Sequence, residues 1–112
     1  MNKVIDYISE NLHEQLTLEV LASYAGFSPI YFHNIFKAST GLTLHQYVEG
    51  LRIKKASTLL VTTKMSLTEI ALECGFSSQS YFNFAFKRKK HMTPREYAKL
   101  ANNLYSSHEI SV

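Results

Sequence analysis

One stretch of this chain occurs twice, and that repetition limits the possible fold more tightly than any other feature. Leu18-x-x-Leu21-Ala22-x-x-Ala25-Gly26-Phe27-Ser28 returns as Leu67-x-x-Ile70-Ala71-x-x-Cys74-Gly75-Phe76-Ser77, displaced by 49 positions. After one extra residue the match resumes at a displacement of 50. It pairs Tyr31-Phe32 with Tyr81-Phe82, Phe36-Lys37 with Phe86-Lys87, Thr43 with Thr93 and Tyr47 with Tyr97. Two copies cannot close a solenoid, which needs about three repeats. A duplicated small unit fits instead, since 112 residues suffice for one compact domain or two small lobes.

The repeated unit is helical. Apolar residues recur every three or four positions, as in Val4, Ile5, Ile8 and Leu12, and period-two alternation is absent over any useful length. Capping boxes mark helix starts at Thr43-Leu44-His45-Gln46, Ser66-Leu67-Thr68-Glu69 and Thr93-Pro94-Arg95-Glu96. In each, the cap hydroxyl and the third side chain satisfy each other's free backbone amides. Proline after Ser28 and Thr93 suits a first helical position, and Thr17 is a further cap. The pattern predicts seven helices, near 2–13, 17–25, 28–39, 43–62, 66–74, 78–90 and 93–104, with a frayed tail over 106–112.

Each copy reads as helix, glycine turn, helix. Gly26 and Gly75 provide a positive φ where a Cβ would be strained, and Phe27 and Phe76 are expected to plug the junction. This is the helix-turn-helix pattern, whose second helix can enter a DNA major groove; a plain helical hairpin carries the same marks. At about 100° per residue, Phe32, Ile35 and Phe36 form the core side of the first copy's second helix. Pro29, Ile30, His33, Asn34 and Lys37 then face outward. In the second copy Phe82, Ala85, Phe86 and the stem of Lys89 face the core, with Gln79, Ser80, Asn83, Phe84 and Lys87 outward. Gln and Asn amides offer the donor and acceptor that match an adenine edge, and His or Ser can bond several bases.

Charge is unevenly placed. Residues 1–50 carry a balance of −3 and residues 51–112 one of +6, which directs a polyanion partner to the second half. The run Lys87-Arg88-Lys89-Lys90 closes the second outward-facing helix. Cations there stabilise the helix dipole, but capping alone does not require four. Lys37, Lys87, Arg88 and Lys90 are the expected phosphate contacts.

Other functions find little support. A single cysteine excludes a disulfide framework and a multi-cysteine zinc site. Cys74 replaces Ala25 of the first copy, which makes it a small buried thiol rather than a nucleophile. His13, His33, His45, His91 and His108 lack metal-ligand spacing, and no glycine-rich phosphate loop is present. No enzyme activity, catalytic residue, metal or cofactor is expected. No stretch approaches the ~18–20 apolar residues of a membrane span, and Asp6 interrupts any signal-peptide core. A cytoplasmic location without membrane contact follows as the expectation.

Read together, three segments carry a family resemblance. They are Ala22-x-x-Ala25-Gly26-Phe27-Ser28-Pro29-x-Tyr31-Phe32-x-x-x-Phe36-Lys37-x-x-x-Gly41, then Leu51-Arg52-Ile53-x-x-Ala56-x-x-Leu59-Leu60, then Ile70-Ala71-x-x-Cys74-Gly75-Phe76-Ser77-x-x-Ser80-Tyr81-Phe82-x-x-x-Phe86-Lys87. Met92-Thr93-Pro94-x-x-Tyr97 closes the pattern. The chain resembles the DNA-binding domain of AraC/XylS-family bacterial transcription regulators over residues 1–105. The resemblance implies an all-α fold of two helix-turn-helix lobes, at 17–40 and 66–91, joined by a long linking helix at 43–62. It implies double-stranded promoter DNA as partner, with base readers Ile30, His33 and Asn34 in one lobe and Gln79, Ser80 and Asn83 in the other. Ser28 and Ser78, at the starts of these helices, join the expected phosphate contacts. RNA polymerase and an upstream sensor or dimerisation domain of a longer chain are further candidate partners.

Two departures stand out. The family usually has Gly where His91 stands, so His91 either takes the left-handed conformation or ends its helix differently. The family commonly has Arg where this chain has Phe84. An exposed Phe84 would meet a thymine methyl group; the alternative is a Phe84 packed on a neighbouring helix. The linking helix fits the resemblance, because residues 44–61 span about 27 Å, close to the ~34 Å between major-groove faces one turn apart. Since the two outward faces differ, the site should be non-palindromic. The competing reading is a helical protein-interaction module without DNA binding.

Overall fold

The computed structural model describes the backbone of residues 1–110 and the side chains of residues 1–104. Its helices are α1 (Asn2–Glu10), α2 (Leu18–Ala25), α3 (Pro29–Thr40), α4 (Leu44–Thr62), α5 (Leu67–Glu73), α6 (Gln79–Lys90) and α7 (Pro94–Ile110). The described residues therefore hold seven helices and no strand, as the periodicity predicts. None of these helices is long and apolar enough to cross a membrane.

Helix ends follow their local chemistry. All three capping boxes form: Thr43 with Gln46, Ser66 with Glu69 and Thr93 with Glu96 exchange bonds of 2.8–3.2 Å. The two carboxylates among them, Glu69 and Glu96, are held below the ordinary value of 4.5. The backbone N–H of Ser66 or Thr93 is the main cause, followed by the cap hydroxyl. α1 stops at Glu10, short of the expected 13, because Asn11 donates its side-chain amide to the Tyr7 carbonyl at 2.8 Å and ends the ladder. α7 runs past its expected end at 104. Residues 111 and 112, where part of the expected frayed tail falls, lie outside the described residues.

The chain divides into two compact units, Met1–Arg52 and Ile53 onward. In the first, Ile8, Leu21, Phe32 and Phe36 are fully buried, with Leu44 and Val48 of α4 closing the core. Arg52 ties the α1 end into this unit, donating to the carbonyls of Leu12 at 3.0 Å and Glu14 at 2.8 Å. In the second, Ile53, Ala56 and Leu60 of α4 meet Ile70, Cys74, Phe82 and Phe86. Cys74 is a fully buried free thiol in that core.

The two glycine turns share one hydrogen-bond scheme. Gly26 N–H donates to Ser23 and Phe27 N–H to Ala22; Gly75 N–H donates to Leu72 and Phe76 N–H to Ala71. Both glycines sit at positive φ, 78° and 88°. Nothing lies within 4 Å of a Cβ placed on Gly26, so conformation rather than space demands the glycine there. The aromatic plug is where the copies part. Phe76 is 7% exposed and packs 5.0 Å from Phe82, whereas Phe27 is 40% exposed and meets Tyr31 edge-on. The expected plug at Phe27 is therefore not made. Phe27 directly precedes the α3 cap Ser28, while Ser77 separates Phe76 from the α6 cap Ser78, and that extra residue gives the second ring its reach into the core.

Candidate nucleic-acid interface

α3 and α6 each begin on a serine cap, Ser28 or Ser78, whose oxygen accepts the N–H of Tyr31 or Tyr81. Both serines are exposed, and a hydroxyl that accepts a backbone N–H retains its own proton to donate. Phe32 and Phe36 on α3, and Phe82, Ala85 and Phe86 on α6, face their own cores. The opposite faces are left outward by that anchoring.

On α3, Ile30 is 77% exposed, Asn34 and Lys37 are exposed and His33 is half-buried. On α6, Ser80, Lys87 and Arg88 are exposed, while Gln79, Asn83 and Lys90 are half-buried. Phe84 is 59% exposed, which overturns its packing against a neighbouring helix. Its ring lies beside Tyr81 at 6.2 Å, and the Arg88 guanidinium stands 5.1 Å over it, one helical turn on. The last turn of α6 holds Lys87, Arg88, Lys89 and Lys90, against Lys37 alone in α3.

Two amides are less simply placed than the helical wheel implies. Thr68, on α5, donates its hydroxyl to Gln79 Oε1 at 2.5 Å. Asn83 Oδ1 is enclosed without a hydrogen-bond partner, although Asn83 belongs to the outward set. Thr68 escaped the sequence reading because it sits inside the Ser66–Glu69 capping box, where it registers only as a helix-start residue. No spacing rule pairs it with a residue eleven positions on.

α6 ends with His91 in the left-handed region, φ 65°, with its N–H on the Lys87 carbonyl at 2.8 Å. Its counterpart Gly41 closes α3 the same way, at φ 78°. Of the two options for His91, the left-handed one is taken. Among the described residues no group of histidine, cysteine and carboxylate side chains is arranged to hold a metal.

A family model described as a helix-turn-helix domain matches residues 21–100. A transcriptional regulator from Chromobacterium violaceum, of the AraC-type DNA-binding-domain proteins, superposes with TM-score 0.81 at 30% identity, over 89% of each chain. The chain belongs to the AraC-type helix-turn-helix family. The DNA-binding domain of AdpA, a global transcriptional factor solved with a target DNA, is similar at TM-score 0.86 and 32% identity, over 88% of this chain and 89% of that one. The bifunctional transcriptional activator/DNA repair enzyme AdaA of Bacillus subtilis is 34% identical over 88% of this chain and 46% of its own length. This AraC-type domain thus spans less than half the length of the curated relatives that it matches first. It is a helix-turn-helix DNA-binding domain of the transcription-regulator class.

Proposed function

We propose that this AraC-type domain binds a non-palindromic promoter site, with α3 and α6 in adjacent major-groove segments on one face of the duplex. One observation carries the reading. Each lobe turns outward a face that runs from a serine cap to a lysine nine residues later on the same helix, and the outward side chains between them differ. Ile30, His33 and Asn34 stand where the second lobe has Ser80, Asn83 and Phe84. Common ends suit a common phosphate backbone, and unlike middles suit two different base sequences.

In this reading Ile30, His33, Asn34, Gln79, Ser80 and Asn83 contact base edges. Phe84, held out beside Tyr81 and under Arg88, meets a thymine methyl group. Ser28, Ser78, Lys37, Lys87, Arg88 and Lys90 contact phosphates. The location that follows is the cytoplasm, where bacterial promoters lie. RNA polymerase and a sensor or dimerisation domain of a longer chain are the protein partners it accommodates.

The test is a mobility shift on selected and scrambled duplexes at two salt concentrations. Affinity should fall steeply with salt on both, and the selected duplex should keep an advantage at either concentration. No binding to either duplex would favour a protein-interaction module instead.

A further inference from the structure

Gln79 opens α6, and its amide oxygen is already held by a neighbour within the lobe, one of its two lone pairs engaged. An amide recognises adenine by using both: the oxygen accepts from N6 and the nitrogen donates to N7. Here the oxygen already accepts the Thr68 hydroxyl at 2.5 Å, a short O–H···O bond. That bond points Oε1 toward α5 and leaves the NH2 group as the part directed elsewhere. Asn83, one turn along the same helix, repeats the asymmetry by other means, since its Oδ1 is shut away from solvent. Two amides thus stand on one outward face, one with its oxygen held toward α5 and the other with its oxygen enclosed. Guanine is the base whose major-groove edge offers two acceptors, N7 and O6, and no donor.

The geometry points to Thr68 as a positioning residue that fixes the Gln79 amide as a hydrogen-bond donor, so that α6 prefers guanine over adenine at the base Gln79 meets. This rests on the proposal that α6 enters the major groove. It reverses the first expectation from the sequence, in which glutamine and asparagine suited adenine. Thr68 touches no base in this scheme; it acts through Gln79. The short bond also removes rotamer freedom from a long side chain before DNA arrives, and such ordering otherwise opposes binding.

Selection of bound sites from random duplex DNA, run on the full chain and three variants, tests this. The parent chain should enrich guanine at one position, and Gln79→Ala should erase that preference. Thr68→Val keeps the shape of the side chain but loses the hydroxyl. It should free Oε1 and lower the guanine-over-adenine ratio at that same position about tenfold. Thr68→Ser retains the hydroxyl and should keep the parent ratio. Melting temperatures measured alongside identify any variant that merely loosens the lobe, which would weaken all sequences alike and leave the base ratio unmoved.

If Gln79→Ala erases a guanine preference that Thr68→Val leaves intact, the positioning role is wrong and the groove reading stands. Adenine enriched by the parent chain at the Gln79-dependent position also overturns the positioning role. If Gln79→Ala changes no base preference at all, the groove reading of Gln79 fails and takes the positioning role with it.

Discussion

The two lobes repeat one backbone plan and finish it differently. Their glycine turns use the same pair of hydrogen bonds, and their second helices both end on a left-handed residue. Yet the first lobe closes α3 with Gly41 and the second closes α6 with His91. The first leaves Phe27 at the surface, and the second buries Phe76. The box that follows is Thr43 with Gln46 in one and Thr93 with Glu96 in the other. α3 carries one cation in its last turn, and α6 carries four. Most of the shared letters set backbone geometry or core contacts, the exposed pair Lys37 and Lys87 being an exception. Letters outside that set are free to diverge, and they leave the second lobe with more positive charge at the end of its outward helix.

The largest test of that contrast is the paired aromatic. Phe76→Ala should cost about 3–5 kcal/mol, the range for deleting a buried phenyl ring. Phe27→Ala should cost less than about 1.5 kcal/mol, because that ring is only part-buried. Denaturant unfolding of both variants decides it, and equal losses would erase the difference between the turns.

The charge difference comes next. Replacing Lys87, Arg88 or Lys90 by Ala should weaken binding to all sequences alike and lower the salt slope by about one unit each. Lys37→Ala should do the same once, and no other side chain in the last turn of α3 should do so. A loss confined to one sequence, at unchanged slope, would move the residue from phosphate to base contact.

Exchanging the helix closures gives a smaller effect of opposite sign in the two lobes. His91→Gly should stabilise by about 1 kcal/mol, since a side chain in the left-handed region costs about 1–2 kcal/mol and glycine returns part of that as chain entropy. Gly41→Ala should destabilise by about 1–2 kcal/mol. The space around Gly41 is open, so the cost there is conformational alone. Melting temperatures report both changes.

The smallest effect is in acid. Glu69 and Glu96 are held below 4.5 by cap hydrogen bonds, so their folded carboxyls release protons more readily than unfolded ones. Their stabilisation is present above the unfolded value and is lost as pH falls through the lowered folded value. Glu96→Gln should flatten that part of the pH–stability curve and make the Thr93 box behave like the Thr43–Gln46 box. An unchanged acid limb would show that the caps do not set it.

Much of the fold was legible because its signals are local. Capping boxes, glycine turns and 3.6-residue periodicity act within a few residues, and the helices begin within a residue of where those signals put them. Phe27 and Phe76 were not separable by letter, because burial depends on the one-residue difference in turn length and on what lies beneath. The outward faces were legible from periodicity, including the exposed Phe84. The engagement of Gln79 by Thr68 was not. It depends on the first turns of α5 and α6 meeting in space, and no periodicity encodes that.

The central claim is that each lobe reads its own base sequence. Site selection with one lobe blinded at a time tests it most directly, using Ile30→Ala/His33→Ala/Asn34→Ala in one chain and Gln79→Ala/Asn83→Ala/Phe84→Ala in another. Each should lose sequence information in one half of the site, a different half for each variant, with the other half intact. Loss of the same bases by both variants, or a palindromic site selected by the parent chain, would contradict it.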